Sequence, residues 1–380
     1  MNENKLNILH INCNYMGTKL HKIMINHLDK YTKNTIFCPI YSGSNIVTIP
    51  NNEAIVSNCF KSLDRFFFFR KQKKILKSII ENVNVNEYQC IHAYTLFTDG
   101  NCAYELNKRY NIPYVVAIRA TDIEFYKYRI YLRERGLEIL RKSCKIFFLS
   151  EKTKEIFIKK YIPQKYSKEI IKKIEIIPNG IDDFWLNNSY KNRNINEINK
   201  KIQNKHINII VVSQILKRKN IPLIQKATKT MVKSGWDIEL NVVGKSMNKR
   251  ELKKIIKDKN TKYLGEMNKE ELIKYYRKAD IFILPSKRET FGLVYAEAMT
   301  QGLPAIYSKN EGFDGQFVNG KIGYAINPNR YNDIVDKILE VTEQYEVLSK
   351  NCLAEANKFS WDKICKKYLK IYSSLNFERG

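Results

Sequence analysis

Two glutamates eight positions apart, Glu289 and Glu297, enclose Thr290-Phe291-Gly292-Leu293-Val-Tyr-Ala. Six of the chain's 15 glycines (Gly292, Gly302, Gly312, Gly315, Gly320 and Gly323) crowd into the same stretch. The apolar run Ile281 to Leu284 reads as a buried strand, the following residues as a short loop, and the segment from Gly292 to Gly302 as a helix closed by a glycine. A helix that begins at Gly292 leaves the amides of Gly292, Leu293 and Val294 without intrahelical partners. Those amides and the helix dipole can face an anion, and a pyrophosphate fits. Carboxylates repel phosphate, so Glu289 before the amides and Glu297 one turn inside the helix are expected to accept hydrogen bonds from hydroxyls, one set on a sugar and one on a ribose. The competing reading makes both glutamates ordinary first-turn residues favoured by the dipole.

A second cluster, Val211-Val-Ser213-Gln214-Ile-Leu-Lys217-Arg218-Lys219, is a strand running into a basic loop. A lysine there can approach the same phosphates from the opposite side and stabilise the charge that grows on a departing diphosphate. One such donor is worth on the order of 3 kcal/mol of barrier. Three cations in a row are also what a solvated turn looks like.

The elements that must position these residues are legible from end to end. Short apolar runs alternate with longer helical patterns, which is the signature of parallel sheets covered by helices. Strands are predicted at 6–12, 35–40, 89–92, 114–118, 145–149 and 174–177, then at 208–213, 239–243, 262–264, 281–284 and 305–307. The expected class is therefore α/β, with two doubly wound Rossmann-like domains facing a central cleft. The first domain takes residues 1–185, an asparagine-rich linker 186–205, and the second domain 206–359, with a terminal helix over 360–380 packing back on the first. At 380 residues two cores are expected, and 44% hydrophobic content supplies them.

Taken together, these residues resemble the retaining GT-B glycosyltransferases usually called glycosyltransferase family 4, of the kind that builds bacterial cell-surface polysaccharide. The resemblance rests on Ile177-Pro-Asn-Gly-Ile-Asp182, the Lys219 loop, Val242-Val-Gly244, Tyr263-Leu264-Gly265, Tyr275-Arg-Lys-Ala-Asp280 and the Glu289 to Glu297 spacing with its Phe-Gly centre. It implies a transfer of a hexose-type sugar from a UDP- or GDP-linked donor to a hydroxyl of a glycan or lipid-linked glycan. Glu289 would bind donor-sugar hydroxyls, Glu297 the ribose and Lys219 the diphosphate. Amides at Phe291, Gly292 and Leu293 would complete the cradle, with Thr290 in the same stretch and the base near Leu264 and Gly265. No metal and no cofactor are implied, because cations and a helix terminus take the metal's place. A leaving phosphate oxygen would accept the acceptor's proton, so no protein base is needed.

Two departures from the family pattern stand out. Gln214 occupies a position where many members carry a phosphate-binding cation. Where many carry a histidine after the fourth strand, this chain has Arg119, a candidate replacement cation, with Asp122 as a candidate acceptor-positioning group; a structural salt bridge between the two is the alternative. Gly17 after the first strand and His92 at a later strand end are expected on the acceptor side, although a lone histidine is also what a satisfied core position looks like.

The formal charge is +27, which points to an anionic partner: nucleic acid, acidic lipid or phosphorylated ligand. No nucleic-acid module accompanies it, and no nucleic acid is expected. Residues 65–80, with four consecutive phenylalanines and six cations, suit an anionic membrane surface or, equally, a helix with a buried phenylalanine face. The eight cysteines have no C-x2-C spacing and are expected as thiols. With no leader-like N-terminus and no apolar run of spanning length, a cytoplasmic protein at the inner face of the plasma membrane is expected. An enzyme that modifies the nucleotide sugar itself, epimerase or phosphorylase-like, remains the alternative on the same fold; a dinucleotide oxidoreductase is disfavoured because no Gly-x-Gly-x-x-Gly follows a strand.

Overall fold

The computed structural model describes residues 5–43 and 54–375, and the chain divides into two units. The first comprises residues 1–149, 154–180 and 361–380, and the second residues 150–153 and 181–360. Each is built on one wholly parallel sheet.

In the first unit the strands are β1 (Asn7–Ile11), β2 (Lys33–Tyr41), β3 (Ile55–Phe60), β4 (Cys90–Ala93), β5 (Tyr114–Ala117), β6 (Lys145–Phe148) and β7 (Ile174–Ile176), in the order β3-β2-β1-β4-β5-β6-β7. The two-residue period of a strand sorts the core into two layers. Leu9, Phe37, Ile91, Val116 and Ile146 face one layer, and Ile8, Ile36, Cys90, Val115 and Phe147 the other. The helix Trp361–Ser373 covers the second layer, as expected for the terminal segment, with Trp361, Ile364, Cys365, Tyr368 and Tyr372 buried along one face.

The second unit has β8 (His206–Val212), β9 (Asp237–Val243), β10 (Thr261–Gly265), β11 (Ile281–Leu284), β12 (Ala305–Ser308) and β13 (Gly323–Ile326), in the order β10-β9-β8-β11-β12-β13. Both sheets thus reverse direction between their first and fourth strands, and in such sheets ligands collect beyond the carboxyl ends at that reversal. Eleven strands fall where the sequence places them. The two it missed, β3 and β13, are outer strands of their sheets; β3 is only partly buried and carries Ser57 and Asn58, so its apolar signal is weak.

The expected linker at 186–205 is corrected by the structure. It belongs wholly to the second unit and contains the helix Ile195–Gln203, whose cap is Asn194 Oδ1, accepting from the Glu197 amide at 3.2 Å. Arg193 is buried there, donating to the Ala279 and Gln301 carbonyls and to the Tyr345 hydroxyl. Asn194 caps that helix, and Asn188 Nδ2 donates to the Phe184 carbonyl at 2.8 Å. The chain passes from one unit to the other at 149/150, 153/154, 180/181 and 360/361 instead, and Ile181 and Ser360 form a parallel bridge inside the second unit.

Candidate functional site

β8 and β11 are hydrogen-bonded neighbours, with Ile209 opposite Ile281, so the loops that follow them emerge side by side at the reversal of the second sheet. The first loop carries a short 3-10 turn, Lys217–Lys219, and the second runs from Pro285 to Gly292. Three links hold them together. The Lys287 amide donates to the Arg218 carbonyl at 2.8 Å, the Arg218 guanidinium donates to the Arg288 carbonyl at 3.0 Å, and the Lys219 ammonium donates to Glu289 Oε2 at 2.5 Å. Lys219 and Glu289 are both largely shielded, with side chains 10% and 12% exposed. Glu289 is further restrained by the Ser286 hydroxyl on Oε2 and the Thr290 amide on Oε1. The first-turn reading of Glu289 therefore fails: its carboxylate is held in the loop by three donors.

Gly292 has φ of 79° and precedes the helix Leu293–Thr300, which has no side-chain cap at its N-terminus. The left-handed backbone there is what glycine tolerates. Tyr295 ties this helix to the sheet by donating from its hydroxyl to the Leu284 carbonyl at 2.6 Å, and Phe291 is buried against Phe313 and Phe359. Glu297 lies one turn in, half-buried; burial pushes its carboxyl up to about 7, and the charge of Asp182 adds to the effect. Among the described residues no three His, Cys, Asp or Glu side chains come together as a metal-ligand group.

The sequence reading missed a third strand-end segment, which follows β12. Glu311 Oε2 accepts from the Glu289 amide at 2.6 Å, and the Gly312 amide donates to the Glu289 carbonyl at 3.0 Å. A Cβ on Gly312 would lie 2.1 Å from the Thr290 carbonyl oxygen, so glycine at 312 serves close backbone packing that fixes the Glu289 loop. Burial pushes the Glu311 carboxyl up to about 7. A cavity of about 760 Å³ opens beside it, with Lys287, Lys309 and Arg330 among its lining residues. The signal was available in Glu311-Gly312, inside the glycine-rich stretch.

Of the other donor-side expectations, Gln214 is exposed directly after β8. Leu264 and Gly265 end β10, where the Gly265 carbonyl accepts from the Gly244 amide at 2.7 Å and the space around the Gly265 Cα is open.

In the first unit, Gly17 is exposed in the turn after β1, and a Cβ added there would meet nothing within 4 Å. Arg119 follows β5; its Nε donates to the Tyr94 carbonyl at 3.3 Å. The alternative Arg119–Asp122 salt bridge does not form: Asp122 accepts from the Arg119 main-chain amide at 2.8 Å and from the Phe97 amide at 3.3 Å, buried at 2% exposure. Two acceptor-side expectations are thereby corrected. Asp122 caps a helix and a loop and has no free face for an acceptor. His92 is a core residue, its ring stacked on Tyr94 at 4.4 Å and its Nδ1 paired with the Tyr372 hydroxyl at 2.6 Å. The residues sequence reasoning passed over here are Asn12 and His21, paired at 3.0 Å beside Arg119.

Residues 192–358 match the family model described as glycosyl transferases group 1. An uncharacterized glycosyltransferase of Methanocaldococcus jannaschii is 23% identical over 309 residues, covering 80% of this chain and 79% of that one. Alpha-monoglucosyldiacylglycerol synthase of Acholeplasma laidlawii is 26% identical over 316 residues, covering 79% of each. The crystal structure of HepE from Anabaena in complex with UDP superposes with a TM-score of 0.71 at 17% identity, over 98% of this chain and 100% of that one.

Proposed function

We propose that this chain, which has the GT-B fold and matches the glycosyl transferases group 1 model over residues 192–358, is a metal-independent, retaining hexosyltransferase of surface-polysaccharide synthesis. The donor is a UDP- or GDP-linked sugar, and the acceptor is a hydroxyl of a glycan or lipid-linked glycan. The observation that carries the reading is the Lys219–Glu289 pair beside the open N-terminus of the helix 293–300, a cation, a carboxylate and free amides at one sheet reversal. Adjacent strands lie about 4.8 Å apart, so β10 and β11, three steps apart in the sheet, are separated by about 14 Å. That span suits a base at Leu264 and Gly265, a diphosphate at Lys219 and a sugar at Glu289. HepE's complex with UDP supports trying UDP donors first.

In this reading Lys219 and the amides of Gly292 and Leu293 take up the charge on the leaving diphosphate. Glu289 holds donor-sugar hydroxyls and Glu297 the ribose. The bond from the anomeric carbon to phosphate oxygen breaks, the acceptor oxygen bonds to the same face of that carbon, and the acceptor's proton passes to the departing phosphate. The test is a thermal-shift screen of nucleotide sugars in EDTA, followed by NMR of the best donor with and without glycan acceptors. Stabilisation by one nucleotide sugar and an α-linked product from an α-linked donor are expected. Donor conversion without any acceptor, or turnover abolished by EDTA, overturns the assignment.

A further inference from the structure

Three of the four consecutive phenylalanines in the first unit are not core. The helix Phe68–Asn82 buries Phe68, Gln72, Ile75, Leu76 and Ile79 along one face, and that face alone supplies its packing. Phe66, Phe67 and Phe69 are 75%, 60% and 50% exposed, and Leu63 beside them is 73% exposed. The buried Asp64 shapes this turn by accepting from the Lys61 amide at 2.7 Å and pairing with Lys74 and Arg70. The outer helix face continues from Phe69 to Lys73 and Lys77, four residues apart each time, so apolar tip and cations share one side.

A second exposed apolar group lies in the same unit. Tyr128, Ile130 and Tyr131 are 70%, 67% and 58% exposed at the end of the helix Ala120–Tyr128. Both are anchored on the same buried rings: Phe69 meets Phe68 at 5.2 Å, Phe68 meets Phe97 at 6.3 Å, and Phe97 stacks on Phe125 at 5.5 Å, with Phe68 and Phe97 in the core. Arg129 lies over Phe125, and Lys127 over Tyr128. Residues 61–77 hold seven cations (Lys61, Arg65, Arg70, Lys71, Lys73, Lys74, Lys77) against the single acid Asp64. The segments carrying both apolar groups leave the carboxyl ends of β3 and β5, the sheet edge that also carries Gly17 and Arg119.

We infer that these two exposed apolar groups, Phe66, Phe67 and Phe69 and Tyr128, Ile130 and Tyr131, insert into an anionic lipid bilayer. The ring of cations fits acidic headgroups, and side chains of this size gain from entering the acyl boundary. Anchoring at this edge places the acceptor side of the first unit against the bilayer; that consequence rests on the proposed transfer to a lipid-linked glycan, whereas the binding itself does not.

Flotation with vesicles of phosphatidylglycerol and phosphatidylcholine, against phosphatidylcholine alone, tests the surface without donor or acceptor. The chain is expected to float with anionic vesicles at physiological salt, and the triple substitution Phe66→Ser, Phe67→Ser, Phe69→Ser to lower partitioning by more than about tenfold. The same variant is expected to keep its melting temperature and its turnover with a water-soluble acceptor, which separates a failed surface from a failed enzyme assignment. Unchanged flotation by the variant, or equal binding to phosphatidylcholine alone, overturns the proposal. So does light scattering that finds a wild-type dimer and a variant monomer, because the surface would then join two copies of the chain.

Discussion

Lys219 Nζ donates to Glu289 Oε2 across 2.5 Å, although the two residues are 70 positions apart in the chain and end different strands. In the free protein the candidate phosphate cation and the candidate sugar-binding carboxylate neutralise each other in a shielded loop pair. A diphosphate donor offers the lysine a second anion and the glutamate a set of hydroxyls, so the pair is ready to be shared with substrate.

The first prediction concerns that pair. Lys219→Met leaves a shielded carboxylate without its cation, so it should lower stability by about 3 kcal/mol and turnover by about 10²-fold or more. Glu289→Gln keeps the shape of the loop and should lower turnover while leaving affinity for UDP alone within about threefold, since the uridine diphosphate does not meet Glu289 in the proposed pose. Calorimetric UDP binding alongside steady-state kinetics checks both, and equal loss of UDP affinity in the two variants contradicts the assignment of roles.

Gly312 is the second. A methyl group there meets the Thr290 carbonyl at 2.1 Å, and backbone cannot swing aside as a side chain can. Gly312→Ala should cost about 1 to 3 kcal/mol and displace the Glu289 loop, lowering turnover at least about tenfold. Wild-type kinetics and melting in this variant would show that the loop does not depend on the close approach.

The third follows from two carboxyls raised to about 7, Glu297 and Glu311, chiefly by burial. Their unfolded values lie near 4.3. The folded state therefore holds extra protons between those limits, and stability contributed by these sites falls as pH rises from about 4.3 through about 7. Glu297→Gln removes the charge, so its melting temperature relative to wild type should be higher at pH 8 than at pH 5.5. A difference that is flat or reversed across that range refutes the burial argument.

Buried histidines act with the opposite sign. His21 is lowered to about 3, chiefly by burial and then by Arg119, and His10 is lowered to about 4 by burial. Their unfolded value is about 6.5, so the stability they contribute is whole above that pH and is lost as pH falls below it. Imidazole nitrogen NMR should find both rings neutral at pH 5.5; a charged His21 at that pH would contradict its packing beside the guanidinium.

Arg119 is the fifth. Its side chain has no carboxylate partner among the described residues, and its Nε is spent on the Tyr94 carbonyl, which leaves the rest of the guanidinium for a ligand. Arg119→Ala should lower turnover about 10²-fold with a small change in melting temperature. Unchanged turnover removes it from the mechanism.

Much of this protein is determined locally and can be read from the chain alone. The buried parallel strands are continuous apolar runs because helices cover both sheet faces, and the loop before the helix 293–300 shows in Gly292 and the flanking glutamates because a helix start needs special backbone there. What only the tertiary structure decided depends on partners distant in sequence. The stretch 186–205 reads as coil until Arg193 is seen buried on the Ala279 and Gln301 carbonyls; Asp122 and His92 read as acceptor groups until Asp122 is found accepting from the Phe97 amide and His92 buried with its Nδ1 on the Tyr372 hydroxyl. Glu311 gains its role because β12 lies beside β11, and Phe66, Phe67 and Phe69 are left exposed because Phe68 alone points to the sheet. Periodicity and spacing describe what a residue can do; which neighbour claims it is decided by how strands order themselves in the sheet.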